Sequence, residues 1–147
     1  MALADLNPRS TSKYLIAADL TGAEGKLLTI DAATTATAGV TVLELANNAS
    51  DVPVGIVVVG AASDSGVYPA YATSCEIYDT LIGTFDGALA GGSGVTAGAR
   101  VCANTSGSFD NCVSPLGAGD YTVGIAQTSA AAGEQFTIKF LVYKREA

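Results

Sequence analysis

The chain repeats itself. Asp51-Val-Pro-Val-Gly-Ile56 returns 69 residues later as Asp120-Tyr-Thr-Val-Gly-Ile125, and Gly25-Lys-Leu-Leu-Thr-Ile-Asp31 has a counterpart at an offset of 73 in Gly98-Ala-Arg-Val-Cys-Ala-Asn104. Ten to twelve residues after its Val, each Val-Gly-Ile is followed by the Gly of a small turn, Ser65-Gly66 or Ala132-Gly133, and then by an alternating segment. Matched features in the same order imply two similar halves of about 70 residues, and a unit that small cannot bury its apolar face alone. In each half a Gly opens a strand, and an acidic turn leads into Val-Gly-Ile, whose Gly admits close backbone approach or a bulge. The repeats span about 23–83 and 95–143, within a single β domain of residues 23–147.

Between these landmarks, short apolar runs alternate with Gly, Asp, Asn and Ser clusters about every ten residues, the spacing of a sandwich or barrel. No βαβ pattern interrupts them. The 17 Gly and the many Val and Thr residues disfavour long helices, whereas Val and Thr suit a pleated strand. The expected fold is therefore all-β: a compact β-sandwich or barrel of two similar halves, preceded by an extended N-terminal arm, residues 1–22. The strongest strand is Gln135 to Tyr143, with Phe136, Ile138, Phe140 and Val142 on one face, Thr137, Lys139 and Tyr143 on the other, and a lapse at Leu141. Lys26–Asp31, Val40–Ala46, Val54–Val59, Val67–Ala72, Cys75–Ile82, Ala99–Ala103 and Tyr121–Gln127 are further strands. Ile56-Val-Val-Val59 has no polar alternate, so both its faces should be covered, as in a central strand. Thr84 to Ala99, with five Gly and Phe85 and Leu89 as its largest apolar residues, reads as mainly loop.

Much chemistry is missing. The net charge of −7 and pI near 4.2 repel a phosphate backbone, so nucleic acid is not an expected partner. The longest apolar stretch, Val52 to Ala62, contains Pro53, Gly55 and Gly60 and falls short of the ~20 residues needed to span a bilayer. No membrane partner is expected. The N-terminus has neither a basic start before a long apolar run nor a cleavage site, so synthesis in the cytoplasm is the expectation. With no His, the commonest general base and metal ligand is absent. Cys75, Cys102 and Cys112 are an odd set without Cys-x-x-Cys, which fits reduced, buried thiols better than a disulfide framework. Cys102 and Cys112 flank the turn-rich Asn104–Asn111, and a hairpin there would bring them together for a bridge in an oxidising medium. Glu76 with Asp79, or Asp110 with Asp120, are the acid pairs that glycoside hydrolysis would require. Fourteen acids supply such pairs by number alone, and the Trp platforms that sugars stack on are absent. No enzyme, cofactor or metal is expected.

The order of a Gly-led strand, Val-Pro-Val-Gly-Ile, a Ser-Gly turn, an alternating strand, Val95-Thr-Ala-Gly-Ala-Arg-Val101, a second Val-Gly-Ile and an Ala-Gly turn resembles the small decoration, or capsid cement, proteins of tailed bacteriophages. The likeness runs from about Gly22 to Tyr143; the three Cys and the Gly-rich insert near Gly91 depart from it. The resemblance implies a β domain on the outer surface of a phage capsid, bound to the major capsid protein. There, often as a homotrimer, it would tie capsomers together and stabilise the head. Such a part works by contact area and copy number, since weak contacts repeated over a shell multiply.

The candidate contact residues are Arg9, Lys13, Tyr14 and Leu15 of the arm, the basic pair facing acidic capsid surface and the apolar pair entering a groove. Tyr68, Tyr71 and Tyr78 follow, because amphipathic rings favour interfaces, although core packing suits them equally. The rival readings are a carbohydrate- or host-surface-binding β module of a tail or fibre, a tail-tube component, and an enzyme of unfamiliar type.

Overall fold

The structure, a computed structural model, describes residues 11–16, 18–61, 74–112 and 117–145, and among these residues it has ten strands and one short helix. In order they are β1 (Thr11–Ile16), β2 (Leu27–Ile30), α1 (Ala32–Ala38), β3 (Val42–Leu45), β4 (Gly55–Val59), β5 (Ser74–Tyr78), β6 (Thr84–Leu89), β7 (Arg100–Ala103), β8 (Phe109–Asn111), β9 (Tyr121–Ala126) and β10 (Gln135–Lys144). The all-β expectation holds. The first five strands close into a barrel, β1-β3-β2-β4-β5, and the last five form a sheet ordered β6-β10-β9-β7-β8.

The two units are the same design. Taken round the barrel as β1-β5-β4-β2-β3, the first order maps strand for strand onto β6-β10-β9-β7-β8. Register agrees as well: Leu28 lies opposite Gly55 and Val101 opposite Gly124, which are the pairs related by the offsets of 73 and 69. The repeat extends to backbone hydrogen bonds. Gly25 N–H donates to Val57 O at 2.9 Å and Val57 N–H to Lys26 O at 3.0 Å. Gly98 N–H donates to Ala126 O at 2.7 Å and Ala126 N–H to Ala99 O at 2.9 Å. The barrel closes through a parallel seam, Leu15 opposite Val42 and Ile16 opposite Leu43, whereas the second unit has one parallel bridge at that seam, Ala90 to Phe109.

Both Val-Gly-Ile strands are flanked on each side, and the glycines explain how. A Cβ on Gly55 would overlap Ile77 Cγ2, and one on Gly124 would overlap the Lys139 carbonyl oxygen, so the partner strand approaches closely only because no side chain stands there. Ile56 and Val57 are both fully buried, as the absence of a polar alternate predicts, but toward different cores. Val57 joins Ile16, Leu28, Leu43 and Ile77 inside the barrel. Ile56, with Leu27 and Tyr78, joins Phe85, Val101, Phe109, Ile138 and Phe140 in the core shared between the units. Consecutive residues on β2, β4 and β5 thus serve two cores, which removes polar alternation from these strands. Val59, expected to be covered, is exposed because β4 ends there.

Three expectations need correction, and one helix stands in a segment the sequence left unassigned. Residues 1–22 were expected to form an arm, but from Thr11 the chain is barrel wall: β1 pairs with β5 along Thr11–Leu15, and Ile16 and Leu20 are buried. Thr84–Leu89 is a strand, not loop; Phe85 and Ala88 supply its buried face, and Ala88 does so without a large side chain. Residues 32–38 form α1, which Asp31 starts by accepting the Thr34 amide at 2.9 Å and Gly39 stops at φ 73°. Cys102 and Cys112 are bridged, so only Cys75 remains as a buried free thiol. The expected strand at Val67–Ala72 and the Ser65-Gly66 turn lie outside the described residues.

Candidate interaction surface

Placement of the expected contact residues decides which of them can reach a partner. Arg9, Tyr68 and Tyr71 lie outside the described residues. Lys13 stands on β1 opposite Glu76 of β5. Tyr14, next on the same strand, is half-buried and its hydroxyl donates to Asp79 Oδ2 at 2.9 Å. That bond, with burial and the Asp79 charge adding to it, raises the phenol's pKa above its ordinary value. Leu15 is half-buried between Ser74 and Val42. Both residues are thus partly spent on closing the barrel. Tyr78 takes the core alternative: at 5% exposure its ring lies 5.4 Å from Phe85 and 5.6 Å from Phe140, and its hydroxyl donates to Ile82 O at 2.6 Å.

Of the expected acid pairs, Asp79 accepts from Tyr14, and Asp110 and Asp120 brace the loops around them. Asp110 accepts from Ser93 N–H through Oδ1 and from Asn104 Nδ2 through Oδ2, both at 3.2 Å. Asp120 accepts from Gly117 N–H at 3.0 Å. Both line a cavity of about 150 Å³ beside the Cys102–Cys112 bridge. A second cavity, between Asp86 and Phe136, holds about 130 Å³. Each is smaller than the ~300–1,000 Å³ that enclose a small-molecule ligand. Cys75, inside the barrel, has its thiol pushed up to about 11 by burial. Among the described residues no group of three His, Cys, Asp or Glu side chains is placed to hold a metal ion, and no helix is long and apolar enough to cross a membrane.

What the second unit does present is a mixed face around the C-terminal part of β10. A register shift between Phe140 and Tyr143 breaks the alternation, so Val142, expected on the core face, is exposed together with Leu141. Phe140 N–H donates to Gly83 O at 2.8 Å, which brings Ile82, 70% exposed, alongside Leu141, 49% exposed. Lys139 and Arg100 lie on either side of Ile125 in adjacent strands, and Arg100 Nη1 donates to the Tyr143 hydroxyl at 2.8 Å. Hydrogen bonds with Thr122 and Arg100 hold the Tyr143 phenol below its ordinary pKa. None of these residues was among the expected contacts, yet the Leu141 lapse and the outward placement of Lys139 and Tyr143 were visible in the sequence.

No protein-family model matches the chain, and no curated protein matches it. Among solved structures it is similar to the crystal structure of the head fiber gp8.5 N base of bacteriophage phi29, with a TM-score of 0.65 and 13% sequence identity. The chain has that base's fold. The match covers 94% of this chain and 98% of the other, so it takes in both five-stranded units.

Proposed function

We propose that this chain is a structural protein of a phage virion, a decoration protein that binds the outer surface of the head and bridges capsomers to stabilise it. The observation that carries the proposal is the fold shared over nearly the full length of both chains with a protein described as a phage head fibre's base. The physical character of the chain supports it. Its described cavities are small, and the exposed apolar residues of β10 sit beside Arg100 and Tyr143, the composition of contact surfaces. Such a protein needs no cofactor, and its partner would be the major capsid protein.

A second reading follows from the same comparison: the chain is an attachment base, whose purpose is to seat another structure on the head. Heads of the phage encoding this chain, prepared with and without it, separate the two. A cement protein raises the temperature at which filled heads rupture, and added purified chain restores it; an attachment base binds without moving that temperature. Heads that neither carry nor bind the chain would end both readings.

A further inference from the structure

β10 outruns its counterpart in the barrel. Tyr78, the last residue of β5, stands opposite Ile56 of β4 and Thr11 of β1, and Lys139 holds the same place in the second unit, opposite Ile125 of β9 and Thr84 of β6. β5 ends there, whereas β10 continues through Phe140 to Lys144. On the β6 side this extension has no partner strand. β6 begins at Thr84, and the Gly83 carbonyl, which accepts from Phe140 N–H at 2.8 Å, marks the end of its bonding along β10.

The direction of the free main-chain groups follows from the bonds on the other side of β10. Arg145 N–H donates to Asp120 O at 2.8 Å, so Arg145 faces β9, while Tyr121, opposite Lys144, sends its own N–H to Ala49 O at 2.7 Å. Lys144 and Tyr121 are therefore a non-hydrogen-bonded pair, and the Lys144 N–H and C=O point out of the sheet edge. Tyr143, opposite Thr122, faces β9, and alternation turns Val142 outward in step with Phe140. No group among the described residues bonds the main chain of Val142 or Lys144 on this side. The side chains around the bare edge are exposed, as is Ile82 beside it. Its charge is of one sign: Gln135 to Arg145 holds Lys139, Lys144 and Arg145 and no acid, in a chain of net charge −7.

We propose that this edge seats an acidic, extended strand of a different protein, which adds to the second sheet beside Val142 and Lys144. Main-chain bonds give such an addition its direction, while Leu141, Val142 and Tyr143 offer apolar cover to alternate residues of the incoming strand. An unpaired edge is a template for any strand, and the cations make this one selective. A strand bearing carboxylates is drawn to Lys139, Lys144 and Arg145; a second β10, bearing the same cations, is repelled. Resting on the function proposed above, the strand belongs to a protein of the head, and what is added is the place and manner of the contact.

Heads prepared without this chain, incubated with the purified full chain and pelleted, provide the test, read by binding and by hydrogen exchange. The amides of Val142 and Lys144 should exchange freely in the isolated chain and about tenfold or more slowly on heads. Val142→Pro removes an N–H that the free fold leaves unbonded, so the variant should melt as the wild type does and bind heads about tenfold or more weakly, because the incoming strand keeps an acceptor without a donor. Should that variant fail to fold, exchange in the wild type decides alone. Lys139→Glu with Lys144→Glu should weaken binding by a similar factor, whereas Ala36→Glu, exposed on α1, should bind as the wild type does. A wild type that binds heads while both amides exchange freely, or a folded Val142→Pro that binds equally well, overturns the proposal and leaves head binding standing. Slow exchange of the same amides in the isolated chain would give the edge to a second copy and overturn it as well. A wild type that does not bind heads removes the head reading and the strand with it.

Discussion

Gly25 and Gly98 occupy the same place in the two units and both have φ of 86°. Replacing either with Ala should cost about 1–2 kcal/mol for the left-handed backbone alone. At Gly98 the cost should end there, because nothing lies within 4 Å of the added Cβ. At Gly25 the same methyl would overlap the Gly87 carbonyl oxygen and press on Leu89 N at 3.0 Å. Relieving that overlap means moving backbone. It puts at risk the bond from Leu89 N–H to Gly25 O, 3.0 Å long, which ties the barrel to β6. Overpacking adds about 1–3 kcal/mol and a lost hydrogen bond about 0.5–1.5 kcal/mol. Gly25→Ala should thus be about 2.5–6.5 kcal/mol less stable than wild type, against about 1–2 kcal/mol for Gly98→Ala. Urea unfolding of the full chain, followed by circular dichroism with a common m-value, reads the difference directly. Equal losses at the two positions would refute the claim that the units are joined at Gly25, and so would separate transitions for the two halves in the wild type.

Removing the Cys102–Cys112 bridge with a Cys102→Ser, Cys112→Ser variant should destabilise the oxidised protein by slightly under about 3 kcal/mol, the value for closing a short loop, and dithiothreitol should lower the wild-type melting temperature while leaving the variant's unchanged. Phe109→Ala removes a fully buried ring packed edge-on at 5.8 Å against Phe136, so a loss of about 3–5 kcal/mol is expected in the same urea assay. Cys75 titrates near 11 in the fold against 9.0 ordinarily, so its neutral form is favoured on folding. Stability from this group is complete below pH 9 and is lost as pH climbs toward 11; Cys75→Ala should flatten that part of a stability-against-pH curve. Tyr14→Phe deletes the bond to Asp79 and should cost about 0.5–1.5 kcal/mol, with the excess absorbance of a perturbed phenol disappearing from a pH titration.

The repeated Val-Gly-Ile was the most legible feature, since it announces a backbone event: a strand approached too closely for a Cβ. Matching offsets then carried the strand pairing, because equivalent residues must meet equivalent partners. The tail of β10 was half legible. Phe136, Ile138 and Phe140 alternate into the core as expected, but a bulge is a register choice made with β9, and only the Leu141 lapse hinted at it. β6 escaped notice because, Phe85 apart, its buried positions are Gly87 and Ala88, and small residues look like loop until the core that covers them is known. Helix α1 was hidden among Ala and Thr, though Asp31 and Gly39 are ordinary start and stop signals. The surface was the least legible. Tyr78 has the composition of a contact residue and the position of a core residue, and nothing local separates the two.

Electron cryomicroscopy of virions with and without this chain bears most directly on its role. Density for two stacked five-stranded units, repeated over the outer surface of the head and missing when the chain is missing, is the predicted result. Heads that look the same in both preparations, or density confined to the tail or the interior, would contradict it.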